Sequence, residues 1–407
     1  MSNTIITSRI AIPFVAEVES AMPILMNGNR QFDKNFVGGH GTTIDVIIPG
    51  YGAVHVGADM SAVDLSYTAA KVSVTLVQRN VGVSVSQVEQ SLELSNFDEQ
   101  VAAPYGTKLG SDVQKVAAAE LLLKADTATV VDASSTIANA NYSLIGQAVA
   151  FIRAARSSGV LFGALSNELA AYIQNSAFNF FNPSKSIENS FLVGGIGKFR
   201  GADWYETPDI LNLTAGTCVI VGALTGTVNA GGDTLTLTAA TSFTGYIEQG
   251  EVITLAGVKA VDIYGVALSA NYAFVVQARS AVAAGGTTLA LAIKPVYFKS
   301  STIQNPLTNI NTVDTMPTAL TATRLTAANG VYLRGIAWDK MAFVYAAATL
   351  KPLAMVEAKA APGQALSVLC QRGTDVIKGI DIVRWDVLTG FLLARSNWVS
   401  SILVKIA

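Results

Sequence analysis

The sequence predicts an α+β fold, a mixed body of helices and strands interrupted by an all-β module. Three observations predict it. Helical spacing with capping signals is concentrated between about residues 95 and 176. From about Ala215 to Phe298 the chain turns to Gly, Thr, Ala and Val, with short alternating runs between Gly-rich turns at the spacing of a barrel or sandwich. Alternation then returns in "QALSVLCQRGTD" and "KGIDIVRWDVLTGFLLA".

Taken in order, residues 10–28 mix apolar and small residues at helix-like spacing, broken by Pro13 and Pro23. They carry too little periodic face to fold alone and read as an arm that packs on something else. "TTIDVIIPG" and "GAVHV" are short strands about a Pro-Gly turn. "AKVSVTLVQRNVGVSVS" follows as a strand with Val72, Val74 and Leu76 on one side and Ser73, Thr75 and Val77 on the other. Two strands bury little by themselves, so this stretch is expected to be a loop that reaches a neighbour.

Ser95–Asp98 and Ser111–Gln114 resemble capping boxes, and Pro104 with Gly106 predicts a long helix kinked or broken between them. Val113, Val116, Ala117, Leu121 and Lys124 fall on one stripe of its second half. "NYSLIGQAVAFIRAARSSG" predicts a helix opened by Asn141 and closed by Gly159. "VLFGAL" reads as a buried strand that needs a sheet completed from elsewhere, and "SNELAAYIQNS" as a helix capped by Ser166. Within the β module, "AGGDTLTL" (230–237) returns as "AGGTTLAL" (284–291), read as two hairpins with like turn chemistry in preference to a true duplication. The Asn/Thr-rich stretch after Ser300 is expected to be extended or looped, with helix resuming at "WDKMAFVYAAATL".

Composition narrows the class. Only 14% of the 407 residues are charged against 51% apolar, whereas ordinary soluble domains carry about 25% charged residues. No apolar run reaches the roughly 18 residues of a spanning helix. Low charge therefore points to a subunit covered by copies of itself, since interface cores are depleted in charge. The net charge of −2 supplies no footprint for specific nucleic-acid binding. Two cysteines cannot build a disulfide framework, and "MSNTIITSRIAIPF" has no signal-peptide pattern, so synthesis in a reducing cytoplasm without export is expected.

"VGGIGKFRG" (193–201) has the look of a phosphate-cradling turn, but Gly195, Gly197 and Gly201 have the wrong spacing for a dinucleotide fingerprint. Lys198 is followed by Phe199 where a Walker loop needs Ser or Thr. The run "ADWYETP" beyond it cannot open an amphipathic helix. A tight turn leading into an extended run is the expected role. His40 and His55 lack companion ligands. Asp203, Glu206 and Asp209 read as solvated carboxylates, Cys218 and Cys370 as buried inert thiols, and Arg153 and Arg156 as partners of a helix C-terminus. No catalytic, cofactor-binding or metal-binding residue is assigned, and no cofactor is expected.

The order of parts resembles the major capsid proteins of tailed double-stranded DNA bacteriophages, the Hong Kong 97 fold. It is most similar to the coat-protein branch of Salmonella-type short-tailed phages, which inserts a β-barrel. The segments carrying the likeness are "KFRGADWYETPDI", "GEVITLAGVKAV", "ANYAFVVQA", "LAIKPVY", "GIAWDKMAFVYAAATLKPL" and "QRGTDVIKGIDIVRWDVLTGF". The resemblance implies an N-terminal arm over 1–36, an extended two-stranded loop over 37–90, and a spine helix with peripheral and axial body over 91–213. An inserted barrel over 214–299 and the rest of the body over 300–407 would follow. It implies pentameric and hexameric capsomers, an icosahedral shell near packaged DNA without specific contact, scaffolding and portal proteins as partners, and no enzymatic activity. Two other readings stay open at the level of residues. One is a nucleotide-cofactor enzyme using the Gly195–Gly201 turn; the other is a surface or adhesin-type β protein.

Overall fold

The computed structural model describes residues 14–32, 41–49, 69–86, 101–131, 142–177, 197–219, 224–228, 232–242, 244–262, 266–283, 285–294, 320–352, 357–364, 366–375 and 378–406. The chain is a mixed α/β protein, mostly strands, and its segments interleave into two compact units. The first comprises residues 1–46, 73–118 and 344–392; the second comprises 47–72, 119–343 and 393–407.

In the first unit, helices α1 (14–20) and α2 (Pro23–Met26) bury Phe14, Val15, Val18, Met22, Ile24 and Leu25. The expected arm is thus tied to its own chain: the Phe14 ring stacks on Trp385 with centroids 4.7 Å apart, and the Gln114 side chain accepts a hydrogen bond from the Ile24 amide. A five-stranded sheet orders Phe343–Ala348, Ile380–Leu393, Ser367–Asp375 and Glu357–Pro362, with Val77–Ser86 also pairing along Ile380–Leu393. "AKVSVTLVQRNVGVSVS" is therefore divided at Leu76. Ala69–Thr75 pairs with Thr43–Pro49 in a two-stranded sheet, and the rest joins the larger sheet. Val74 and Leu76 are buried while Ser73, Thr75 and Val77 are exposed, as the alternation predicts.

Helix α3 (Ala103–Lys124) is continuous. The expected break at Pro104 and Gly106 is absent because Pro104 lies in the first turn, where its missing N–H has no intrahelical partner to lose. Ser111 is interior to the helix and starts nothing, and Ser95–Asp98 lies outside the described residues. Val113, Ala117 and Leu121 form the buried stripe, but Val116 is half exposed on the other side.

The second unit is built on a seven-stranded mixed sheet. Its order is Thr127–Val131, Val399–Ile406, Val331–Asp339, Leu161–Leu165, Ala202–Glu206 and Gly197–Phe199, with Leu213–Thr214 also on Val331–Asp339. Two of its pairings, 127–131 with 399–406 and 161–165 with 202–206, are parallel. "VLFGAL" is the central buried strand the sequence predicts. Helices α4 (Tyr142–Ala154) and α5 (Asn167–Ala177) touch each other and pack on this sheet. Ile145, Ala148, Val149 and Ile152 give α4 its buried face.

Three expectations fail here for identifiable reasons. "WDKMAFVYAAATL" is not helix but the end of one strand, a turn and a second strand, Phe343–Ala348. Trp338, Phe343 and Tyr345 are fully buried, and burial within sheets overrides the helix propensity of the alanines. Helix α4 is closed by Arg156, two residues past its end and in the left-handed region (φ 61°), not by Gly159, which is instead crowded by the Asp339 carboxylate. The Ser166 hydroxyl is buried without a partner and caps nothing; its main-chain oxygen takes the Ala170 N–H, while Asn141 lies outside the described residues.

The β module is a closed six-stranded barrel ordered 234–239, 288–294, 274–276, 252–255, 320–324 and 224–228. Leu235, Leu237, Ile253, Leu255, Phe274, Leu289, Leu291 and Ile293 fill it. The two "AGG" repeats supply adjacent antiparallel strands, with Leu235 opposite Leu291 and Leu237 opposite Leu289. Leu320–Arg324 is the sixth strand, lying past the boundary expected at 299. It bonds to both Ile253–Leu255 and Thr225–Gly226. The isolated Ala322 and the surrounding threonines disguise it in the sequence as loop.

Candidate functional site

The glycine-rich turn is the first candidate for chemistry. Gly197–Phe199 and Ala202–Glu206 form a hairpin in which Phe199 faces Ala202, leaving Arg200 and Gly201 as a two-residue loop. Their φ values of 52° and 79° define a type I′ turn, the one whose twist matches its flanking strands. The chain leaves this turn as a strand, so no helix N-terminus is available for a phosphate. Lys198 lies across the hairpin from Asp203, its ammonium 3.4 Å from that carboxylate. The glycines of this hairpin turn the backbone; Gly195 lies outside the described residues.

The remaining candidates do not converge. Glu206 is exposed at the end of its strand, and Asp209 is buried where its amide and carboxylate meet Thr207. Cys218 and Cys370 are buried and in no disulfide, and burial pushes the Cys218 thiol up against the opposing Arg324 guanidinium, with a smaller push from Glu251. Arg153 donates to the Ser157 and Gly159 carbonyls beyond its helix, as expected for a helix C-terminus. Arg156 does something else, pairing at 2.5 Å with the buried Asp262. His40 and His55 lie outside the described residues. Among the described residues no three His, Cys, Asp or Glu side chains gather as a metal site would need.

What the structure does concentrate is buried charge at the joint between barrel and sheet, all within the second unit. Glu251, fully buried, precedes barrel strand 252–255. One carboxylate oxygen accepts from the Gly216 and Glu248 amides at 2.7 Å each. The other accepts from Arg324 Nε at 2.5 Å and Thr326 Oγ1 at 2.7 Å. Arg324 also donates to the Cys218 and Gly216 carbonyls at 2.5 and 3.0 Å. Every lone pair of the carboxylate is used, which a buried ion pair needs before its attraction offsets desolvation. The network fastens the chain entering the barrel (216–218) to the strand leaving it (320–324). Around it Leu213, Val252, Ala273, Val275, Tyr332 and Leu403 form an apolar layer.

A second buried carboxylate, Asp339, accepts from the Ser157 hydroxyl, the Gly159 amide at 2.9 Å and the Met341 amide at 2.8 Å. It pins the loop after α4 to the end of strand Val331–Asp339. Sequence reading passed over Glu251, Arg324 and Asp339. The available signal for Glu251 and Arg324 was their setting, each a charge opening or closing an otherwise apolar or Thr/Ala-rich run. Such arrangements hold parts in register, and their chemistry is structural.

No protein-family model matches the chain, and no curated protein sequence is found similar to it. Among solved structures it is similar, over most of its length, to chains from phages and from a virus-like particle. The capsid of Ralstonia phage GP4 matches with a TM-score of 0.47 at 8% identity, covering 90% of this chain and 84% of that one. A chain of Mycobacterium phage Che8 matches with a TM-score of 0.46 at 12% identity, over 92% and 89%. A virus-like particle from Pyrococcus furiosus matches with a TM-score of 0.42 at 8% identity, over 97% and 98%.

Proposed function

We propose that this chain is a shell-forming coat protein of the Hong Kong 97 class, assembling through pentameric and hexameric capsomers into an icosahedral phage head around double-stranded DNA. The observation that supports it best is the order of parts. A docked helical arm is followed by a paired strand excursion and a long helix. A mixed body then carries a six-stranded barrel before its final strands return. The buried charges hold that order together and leave no converged group for acid–base or nucleophilic work among the described residues.

In this reading residues 1–36 are the arm, 37–90 the extended loop, 91–213 and 300–407 the spine and the peripheral and axial body, and 214–299 the bulk of the insertion. The low surface charge suits a subunit covered by its copies, held by many weak repeated contacts that allow errors to dissociate. A net charge of −2 suits a container that does not grip its genome. Scaffolding and portal proteins are the partners, the virion is the final location, and assembly takes place in the host cytoplasm.

The test is negative-stain microscopy of the overexpressed chain with its scaffolding partner. Closed shells of uniform diameter are expected. Dispersed monomers, or tight binding of a labelled nucleotide to them, would overturn the reading.

A further inference from the structure

One buried cluster has no part in the network around Glu251. Asp126 follows helix α3 and opens strand Thr127–Val131, and its side chain is 1% exposed. Neither carboxylate oxygen has a hydrogen-bond partner. Tyr272, fully buried on the barrel, likewise has an unpartnered hydroxyl. The two residues are brought together by the backbone: the Ala273 amide donates to the Asp126 carbonyl at 2.8 Å. Close by, the Gln277 side chain donates to the Leu123 carbonyl at 2.6 Å. Here, then, the barrel's polypeptide is bonded directly to the junction of helix and sheet.

Three polar atoms buried and unpaired at one joint demand an explanation. An ionised carboxylate there would lose its hydration for little in return, since the pull of its own backbone amide is outweighed by burial. Among the described residues, no cation pairs with the carboxylate. Lys124, two residues back, is paired with Glu120, and Arg395, beside the 396–398 turn that receives the Asp126 amide, lies over the Trp398 ring at 4.6 Å. The titratable group presented by the barrel is the Tyr272 phenol itself, whose ionisation is pushed well up by burial and then by the neighbouring Asp126. Burial likewise holds the Asp126 carboxyl well above the usual carboxylate range.

We propose that Asp126 is a proton-operated latch between the inserted barrel and the central sheet. Neutral, its carboxyl shares the dry space with the Tyr272 hydroxyl and the joint stays closed. Ionised, it draws water in and the Ala273–Asp126 bond loosens. The direction follows from proton counting. The closed joint keeps a proton that the opened one releases, so closure weakens as pH rises above the ordinary carboxylate range, until the closed form ionises too. The latch operates in the subunit itself, whether or not the chain builds shells.

Amide hydrogen exchange on the intact chain across a pH series tests it, with protection corrected for intrinsic exchange. In the parent protein, protection at Ala273 is expected to fall with rising pH, approaching tenfold per unit. In Asp126→Asn it is expected to be flat with pH. Equal pH dependence at Ala273 in parent and variant would overturn the proposal. So would failure of Asp126→Asn to fold, because a carboxyl that is neutral in the closed joint is replaceable by a neutral amide of the same shape.

Discussion

A β-carbon on Gly110 would lie 2.6 Å from the carbonyl oxygen of Val18 and 2.9 Å from the β-carbon of Ala21. Helix α1 is seated against α3 at a distance only glycine permits. Gly106, one turn earlier, faces Phe14 and Glu17 in the same way, with 3.2 and 3.1 Å available. Two glycines four residues apart thus make a flat track for the arm's backbone.

Gly110→Ala is therefore expected to destabilise the subunit although alanine is the better helix former. The propensity gain is about 1 kcal/mol, while forcing a methyl against backbone costs about 1–3 kcal/mol and can only be relieved by moving the arm. Lys108→Ala, on an exposed turn between the two glycines, is expected to stay within about 0.5 kcal/mol of the parent. Denaturant melts of the three proteins check it. A Gly110→Ala protein more stable than its parent would mean that the arm is not docked there.

The type I′ hairpin makes a paired prediction. Gly201 at φ 79° has open space around it, so Gly201→Val should lose about 1–2 kcal/mol to backbone strain alone. Arg200→Asn, at φ 52°, should gain a few tenths, since asparagine accepts the left-handed region more readily. Opposite shifts in the thermal midpoint are the expected result; equal shifts would contradict the turn.

Much of this architecture was legible because it depends on local pattern. The buried strand at Leu161–Leu165, the helix with Ile145 and Ile152 on one face, and the alternation of Val74 and Leu76 are each fixed by neighbours in the chain. What could not be read depends on distant partners. Gly106 looks like a break until the arm helix is laid beside it. Phe343–Ala348 looks helical until it is buried in a sheet. Glu251 and Arg324 are 73 residues apart, and nothing local announces that they meet.

That ion pair supplies the third prediction. Glu251→Gln should cost about 3–5 kcal/mol, because it leaves the nearly buried Arg324 without its counter-charge. Arg324→Met should cost a similar amount by stranding the carboxylate. The double variant should lose clearly less than the sum, since neither orphaned charge then remains. A double-mutant cycle read by chemical denaturation settles it, and strict additivity would show that the two charges do not interact.

The last prediction concerns the extent of the barrel. A fragment ending at 299 holds five of the six strands and all the glycine-rich turns, and composition alone would end the module there. Its two open edges would be Thr225–Gly226 and Ile253–Leu255, which in the complete chain are bridged by Leu320–Arg324. The missing strand also carries Ala322, packed inside, and Arg324, without which Glu251 is buried unpaired. An open sheet with two unpaired edges and a stranded carboxylate is expected to aggregate or stay unfolded. A fragment over 214–327 restores the closing strand, the arginine and Thr326. It is expected to be soluble, with dispersed amide resonances and a cooperative melt. Expression of both fragments side by side checks this, and cooperative folding of the shorter one would mean that the sixth strand is an attachment to a barrel already complete without it.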